Sequence, residues 1–161
     1  MKKLYFEDIE PGLRLESPWY TIEREEVVEF ARRWDPYDFH LDEAAAERSI
    51  FGGLVACTSH LFAISSRLAH QLPGEIVLVA GLGGDGLQVL APVRVGTQVR
   101  LVRRFTSARA SRSRPEAGVI AFEDVIESPE GEALFRTSGS VLIERRGAGS
   151  ANETGRPGPN D

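Results

Sequence analysis

Apolar residues recur at helical spacing in the first half of the chain. Glutamates lie at the start of this segment and two arginines lie at its end, an order of charges that suits the helix dipole. Pro36 then stops the helix. The pattern predicts a helix from about Arg24 to Trp34. Its stripe consists of Val27, Phe30, Ala31 and Trp34.

Two further helices are predicted before residue 73. Asp42 is a good N-cap for a short helix that runs through three alanines to Arg48. Gly52 and Gly53 then interrupt the helical pattern. The segment 54–71 is apolar on most of its circumference in its first half, and such a helix is expected to be buried on all sides.

After Gly74 the pattern changes to β-branched and apolar runs separated by turn residues. The predicted strands are 76–79, 87–95, 98–105, 118–127 and 133–144. The glycine-rich segment 81–86 lies before a strand, so we interpret it as a turn or bulge and not as a dinucleotide loop. Residues 128–131 predict a hairpin turn. Since no helix lies between the strands, the fold class is α+β, with a mostly antiparallel sheet wrapped around one long central helix, which is the hot-dog arrangement.

The two ends of the chain predict little regular structure. Residues 4–20 are expected to form an extended lead-in with a turn at Pro11 and Gly12. Residues 147–161 contain four glycines, two prolines and no large apolar side chain. We therefore predict one domain over residues 1–146 and a disordered tail over 147–161.

The overall composition is that of an ordinary globular protein. The chain has 161 residues, 42% of them hydrophobic, and a formal net charge of -5. A mildly acidic chain is a poor partner for nucleic acid or an anionic membrane. Cys57 is the single cysteine, acidic residues follow the first lysines, and no apolar run is long enough to span a membrane. We expect a cytoplasmic protein.

The segment between the first two predicted helices is the richest in reactive side chains. Asp35 and His40 are five residues apart in a bent loop, so they can face one another. A carboxylate and an imidazole at one pocket can together take a proton from water and deliver one to carbon. The alternative is that Asp35 only turns the chain and that His40 is a hydrogen-bonded structural histidine.

This segment resembles the signature of the MaoC-like dehydratases, which include the R-specific enoyl-CoA hydratases. The family signature reads D-x-N-P-x-H-x-D, or D-P-Q-P-F-H-x-D in one branch. Asp35 and His40 match its catalytic residues, and Asp42 matches its third acidic position. Tyr37 stands where the family has Asn or Gln, and Asp38 stands where it has the second proline.

The resemblance continues in the same order downstream. Residues 51–56 are similar to the family's F-G-G-x-I-A, and residues 90–96 are similar to its L-x-P-V-x-x-G-D. Residues 111–118 resemble a basic loop of the D-P-Q-P-F-H branch. The match thus covers about residues 4–145, and the order of several weak motifs is more specific than any one of them.

The resemblance also implies the rest of the site. In the family, a backbone N–H in the first turn of the central helix binds the thioester oxygen, and the matching residue here is Thr58, where glycine is usual. The alternative is that the Thr58 hydroxyl bonds back to its own helix. Arg112 and Arg114 are the predicted contacts to the phosphates of coenzyme A, or else they belong to a solvated hairpin end. No cofactor is expected beyond coenzyme A as part of the substrate, and no metal. A homodimer or higher homo-oligomer is expected.

Three other polar residues have structural interpretations. Cys57 lies in the most apolar stretch and is expected to be a buried structural cysteine. His60 is expected to be a hydrogen-bonded residue at the helix edge, and His70 to lie near the helix end, where it can interact with the helix dipole.

The sequence therefore predicts a hydratase or dehydratase that adds water to a 2-enoyl-CoA thioester or removes it. Two alternatives remain open. One is a hot-dog thioesterase, because this fold hosts both chemistries. The other is a non-catalytic acyl-CoA-binding subunit, to which the differences at Tyr37, Asp38 and Thr58 point.

Overall fold

A computed structural model of the chain describes residues 2–147. Four helices occupy its first half, and long strands occupy its second half. The helices are α1 (Arg24–Trp34), α2 (Asp38–Leu41), α3 (Glu43–Arg48) and α4 (Thr58–Ala69), preceded by a 3-10 turn at Phe6–Asp8. The strands are β1 (Lys3–Leu4), β2 (Arg14–Glu16), β3 (Tyr20–Thr21), β4 (Glu75–Ile76), β5 (Leu78–Val89), β6 (Gln98–Ala110), β7 (Ala117–Glu127) and β8 (Ala133–Glu144).

The main sheet is antiparallel and has the order β2-β6-β7-β8-β5, and β3 also pairs with the start of β6. The short β1 and β4 form a separate parallel pair. The hairpin between β7 and β8 turns through residues 128–131, as predicted. The arrangement is the hot-dog fold that the sequence predicts.

One face of α4 packs against the sheet and forms the main core. Leu61, Ile64 and Leu68 lie in this cluster together with residues of β6, β7 and β8. A second cluster, around Phe105 and Ile120, is covered by the N-terminal segment. The core therefore has two parts along the sheet, and α4 covers the part next to α1.

The opposite face of α4 is exposed, which corrects the expectation of a helix buried on all sides. Thr58, Ser59, Phe62, Ala63 and Ser66 lie on this face. The helix also begins four residues later than predicted. Residues 54–56 are extended instead, because they run against residues 93–95, with which they form backbone hydrogen bonds.

The glycine-rich segment 81–86 is not a turn. It lies inside β5, where three irregularities in the register with β8 act as bulges, so the bulge interpretation is the correct one. The predicted strands 76–79 and 87–95 are accordingly replaced by β4 and one long β5 that ends at Val89. Of the predicted tail, only Gly147 is among the described residues, so the tail stays a prediction.

No helix within residues 2–147 is long and apolar enough to cross a membrane.

Candidate active site

Residues 34–42, which we name the catalytic loop after the role predicted for Asp35 and His40, bend sharply between α1 and α2. The N–H of Asp35 donates to the Ala31 carbonyl at 2.8 Å and closes α1. Pro36 cannot continue the helix, and it disfavours helical geometry at Asp35. The chain then re-enters a single helical turn, α2, which carries His40. The bend turns both side chains toward one another.

His40 is held by a backbone carbonyl from outside the loop. The side chain is 8% exposed, and its Nδ1 lies 2.7 Å from the Val55 carbonyl oxygen. Because a carbonyl oxygen only accepts hydrogen bonds, Nδ1 carries the proton and donates it. The neutral ring therefore has its free lone pair on Nε2.

Asp35 faces that free nitrogen. Its Oδ2 lies 3.9 Å from His40 Nε2, and its side chain is 32% exposed. This distance is too long for a direct hydrogen bond, and neither atom has a proton to share with the other. The pair thus presents two hydrogen-bond acceptors, one buried and one reached by solvent, to a single point between them.

An aromatic cluster supports the loop. The Phe39 ring packs edge-on against His40 with ring centroids 4.5 Å apart, and it also contacts Phe51 and stacks on Tyr37. Tyr37 and Trp34 are themselves more than half exposed. Tyr37, one of the two residues that depart from the family signature, thus lies on the solvent side of Asp35 and His40.

Asp42 has a different environment from Asp35. Its carboxylate accepts a hydrogen bond from the Ala45 N–H at 2.8 Å and caps α3. The N-cap prediction is confirmed. The third acidic position of the signature therefore serves the local fold.

The start of α4 provides backbone donors. Cys57 is the N-cap residue and Thr58 the first residue of the helix. The N–H groups of a first helical turn have no acceptor within the helix, and the helix dipole favours negative charge there. Within residues 2–147 the Thr58 hydroxyl makes no hydrogen bond, so the alternative in which it bonds back to its own helix is not seen. The role of the Thr58 N–H stays a prediction.

Cys57 is buried as expected, with its Sγ 3.4 Å from the Ser59 hydroxyl. His70 lies at the end of α4, also as expected. His60 differs from its prediction. It is 2% exposed, and neither ring nitrogen has a hydrogen-bond partner in the described chain.

The surroundings of His60 explain how it is held. Its ring stacks on Phe30 of α1 with centroids 4.5 Å apart, and its Nε2 lies 3.6 Å from Glu26. Burial lowers the pKa of His60, while the nearby Glu26 carboxylate acts weakly in the opposite direction. Glu26 in turn accepts a hydrogen bond from Tyr20, and burial together with this bond raises the pKa of Tyr20 to about 12.

The structure does not place the predicted CoA-binding arginines beside the catalytic pair. Arg112 and Arg114 lie in the turn between β6 and β7, where Arg114 pairs with Glu116 at 3.6 Å. The catalytic loop lies toward the other end of β6, a strand of 13 residues or roughly 40 Å. Their contact with coenzyme A stays a prediction.

The site also contains a group that sequence reasoning missed. The Val55 carbonyl lies 15 residues beyond His40, and backbone groups give no compositional signal. The only hint was that residues 51–56 matched a family motif. Within residues 2–147, no three His, Cys, Asp or Glu side chains lie close enough together to hold a metal ion.

Comparison with known proteins shows the family of the chain. The family model described as MaoC like domain matches residues 8–122. Protein MaoC of Klebsiella aerogenes is 33% identical over 115 residues, which are 70% of this chain, and the chain spans about a third (34%) of that relative's length. The fold, together with the loop that carries Asp35 and His40, defines a hot-dog protein with a dehydratase-type signature. The chain belongs to the MaoC-like family.

Solved structures agree as well. A crystal structure of the MaoC-like dehydratase from Rhodospirillum rubrum is 32% identical, with a TM-score of 0.80 over 89% of this chain and 98% of that one. The R-hydratase PhaJ1 from Pseudomonas aeruginosa is 18% identical, with a TM-score of 0.72 over 89% of this chain and 88% of that one. At that identity the second likeness shows the fold alone.

Proposed function

We propose that the protein adds water reversibly across the double bond of a 2-enoyl-CoA thioester. The observation that carries the proposal is the pair of acceptors formed by Asp35 Oδ2 and His40 Nε2, 3.9 Å apart. A water oxygen about 2.8 Å from each atom would see them at an angle of about 90°, close to its own H–O–H angle. Both hydrogens of one water would then be bound, and its lone pairs would be free to attack carbon.

The reaction balances with these two side chains. The water oxygen bonds to C3 of the enoyl group while one water proton passes to the Asp35–His40 pair. The π electrons move to C2 and onto the thioester oxygen, and a proton from the pair then bonds to C2. The two side chains act as one coupled unit, so the base and acid roles belong to the pair. Dehydration is the same path reversed.

The negative charge that develops on the thioester oxygen needs a donor. The backbone N–H of Thr58, at the start of α4, supplies one together with the helix dipole. A threonine retains the N–H that a glycine would offer. In this proposal the Thr58 side chain, which is exposed, limits the room around the thioester without removing the donor.

The acyl chain would lie along surfaces that one chain leaves open. The exposed face of α4 carries Phe62 and Ala63, and the edge strand β5 is exposed over all twelve residues. An edge strand with several exposed apolar side chains is normally covered by another strand. We infer that a second copy of the chain covers β5, so that the working protein is a homodimer or a larger homo-oligomer.

The direct test is to incubate the purified protein with a short 2-enoyl-CoA and to follow the enoyl absorbance and free thiol together. The proposal expects the absorbance to fall without release of thiol. Thiol release would instead support the thioesterase alternative, and binding without either change would support a non-catalytic subunit. Asp35→Asn is the matched control, since it keeps the shape of the side chain.

A further inference from the structure

The Arg94 side chain donates two hydrogen bonds to a backbone carbonyl, which is a neutral group. Arg94 lies between β5 and β6, and its Nε donates to the Phe51 carbonyl at 2.9 Å, with Nη2 donating to the same oxygen. Within residues 2–147 no carboxylate pairs with it. An exposed arginine that holds a loop carbonyl and forms no ion pair is a candidate for positioning that loop.

The loop that Arg94 holds also has two backbone hydrogen bonds to α3 and its end, from the Gly52 N–H to the Ser49 carbonyl at 3.3 Å and from the Gly53 N–H to the Ala46 carbonyl at 3.2 Å. Gly52 has φ +60° and Gly53 has φ +152°, backbone conformations that other residues rarely adopt. The Arg94 stem lies against them, since a Cβ added at Gly53 would be 3.6 Å from Arg94 Cδ. The arginine thus replaces the side-chain packing that the two glycines lack.

The same loop carries the carbonyl that binds His40. Val55 forms an antiparallel bridge with Arg94, and flanking hydrogen bonds join Ala56 N–H to the Val93 carbonyl at 2.9 Å and Val95 N–H to the Leu54 carbonyl at 3.1 Å. The Val55 carbonyl oxygen then accepts from His40 Nδ1 at 2.7 Å. A continuous path of contacts therefore runs from the Arg94 guanidinium to the imidazole.

We propose that Arg94 is a positioning residue for His40: by clamping the Phe51 carbonyl it fixes the Val55 carbonyl, which keeps the imidazole proton on Nδ1 and leaves Nε2 free. Without the clamp the Gly52–Gly53 segment keeps only its backbone hydrogen bonds to Ser49 and Ala46, and the hydrogen bond to Nδ1 loosens. The imidazole can then place its proton on Nε2, which removes one of the two acceptors facing Asp35. The inference rests on the proposed function for its kinetic part only.

The experiment compares Arg94→Met, which keeps the stem and removes the donors, with Arg94→Lys, which keeps the positive charge and donors on a single nitrogen. Arg104→Met, at an exposed position on β6, is the matched control. We expect Arg94→Met to lower kcat about tenfold with KM within about twofold, and Arg94→Lys to recover part of the loss. Nitrogen-15 NMR should show His40 with a protonated Nδ1 in the native protein and mixed tautomers in Arg94→Met.

Native kcat together with an unchanged His40 tautomer in Arg94→Met would overturn the proposal, and so would an effect on KM alone, which would indicate contact with substrate. If Arg94→Met does not fold, the tautomer and kcat of Arg94→Lys decide in the same way. If the native protein hydrates no enoyl-CoA, the proposed function fails, and the NMR comparison still tests the positioning of His40.

Discussion

The catalytic loop and the edge strand β5 differ in how far a single chain buries them and pairs their hydrogen-bonding groups. His40 is buried, and its Nδ1 is bonded to the Val55 carbonyl. β5 pairs with β8 on one side, and every one of its residues is exposed. Its exposed large apolar side chains are Leu78, Val79, Leu82, Leu87 and Val89.

This difference separates two parts of the function. In the proposed function the two reacting side chains lie within a single chain, whereas the edge strand β5 is open. In that proposal the chemistry of Asp35 and His40 depends on local geometry, and the surroundings of the acyl group depend on what covers β5. Substitutions in the two regions should accordingly have different signatures.

The largest expected effect lies in the catalytic loop. Asp35→Asn keeps shape and hydrogen bonding but removes the charge, and His40→Ala removes the other proton-transfer group. Each should lower kcat by at least about 100-fold, the scale of general acid–base catalysis. Sedimentation should show both variants in the native oligomeric state. A change of oligomeric state in either variant would break the proposed separation of the two regions.

A smaller effect on catalysis and a large one on assembly are expected in β5. Leu82→Lys or Leu87→Lys places a charge on the open edge of the sheet, which disfavours strand pairing. Light scattering should show the mass falling from at least twice 17.7 kDa to that of one chain, with KM rising more than kcat falls. Thr106→Lys, at an exposed position on β6, is the control. A native protein that is already monomeric at micromolar concentration would contradict the inferred homodimer.

His60 combines a feature of each region. Its side chain is buried, but neither ring nitrogen has a hydrogen-bond partner within residues 2–147. Because its pKa in the folded protein is below the ordinary 6.5, the unfolded chain binds the proton more readily. Its contribution to stability is complete above about pH 6.5 and is lost as the pH falls below that value. His60→Phe keeps the stack on Phe30 and should raise the free energy of unfolding at pH 5.5 by about 1 kcal/mol.

The measurement for His60 is urea unfolding at pH 5.5 and pH 7.5. The gain from His60→Phe should be larger at the lower pH. An equal gain at both pH values would contradict the claim that burial lowers the pKa of His60.

The smallest effect is expected from the C-terminal tail. The residues removed in a chain that ends at Arg146 have no large apolar side chain. Activity and stability should therefore be unchanged. The measurement is thermal unfolding together with turnover. Aggregation or lost turnover of the truncated chain would show that the tail packs on the rest of the protein.

Much of the fold could be predicted because its signals are local. The bounds of α1 follow from its stripe and from Pro36, and α3 follows from its Asp42 cap. β8 follows from its apolar residues between turn signals. The loop between α1 and α2 likewise brought Asp35 and His40 together because they are close in sequence.

The predictions failed where distant segments decide the structure. Residues 54–56 have helical composition, but pairing with residues 93–95 keeps them extended. The predicted strands 76–79 and 87–95 have the wrong bounds, because pairing with β8 carries β5 through its glycines, which form bulges, one of the two interpretations of that segment. The Val55 carbonyl and the Arg94 clamp depend on backbone positions that composition does not reveal.

The most direct test of the central claim is the turnover of the Asp35→Asn/His40→Ala double variant beside the two single variants. If both side chains act on one water, the double variant should be little slower than the slower single variant, since residues that act as one unit are not additive. A folded Asp35→Asn protein with near-native hydratase turnover would contradict the account. It would leave Asp35 as a turn residue and the family relationship as one of fold alone.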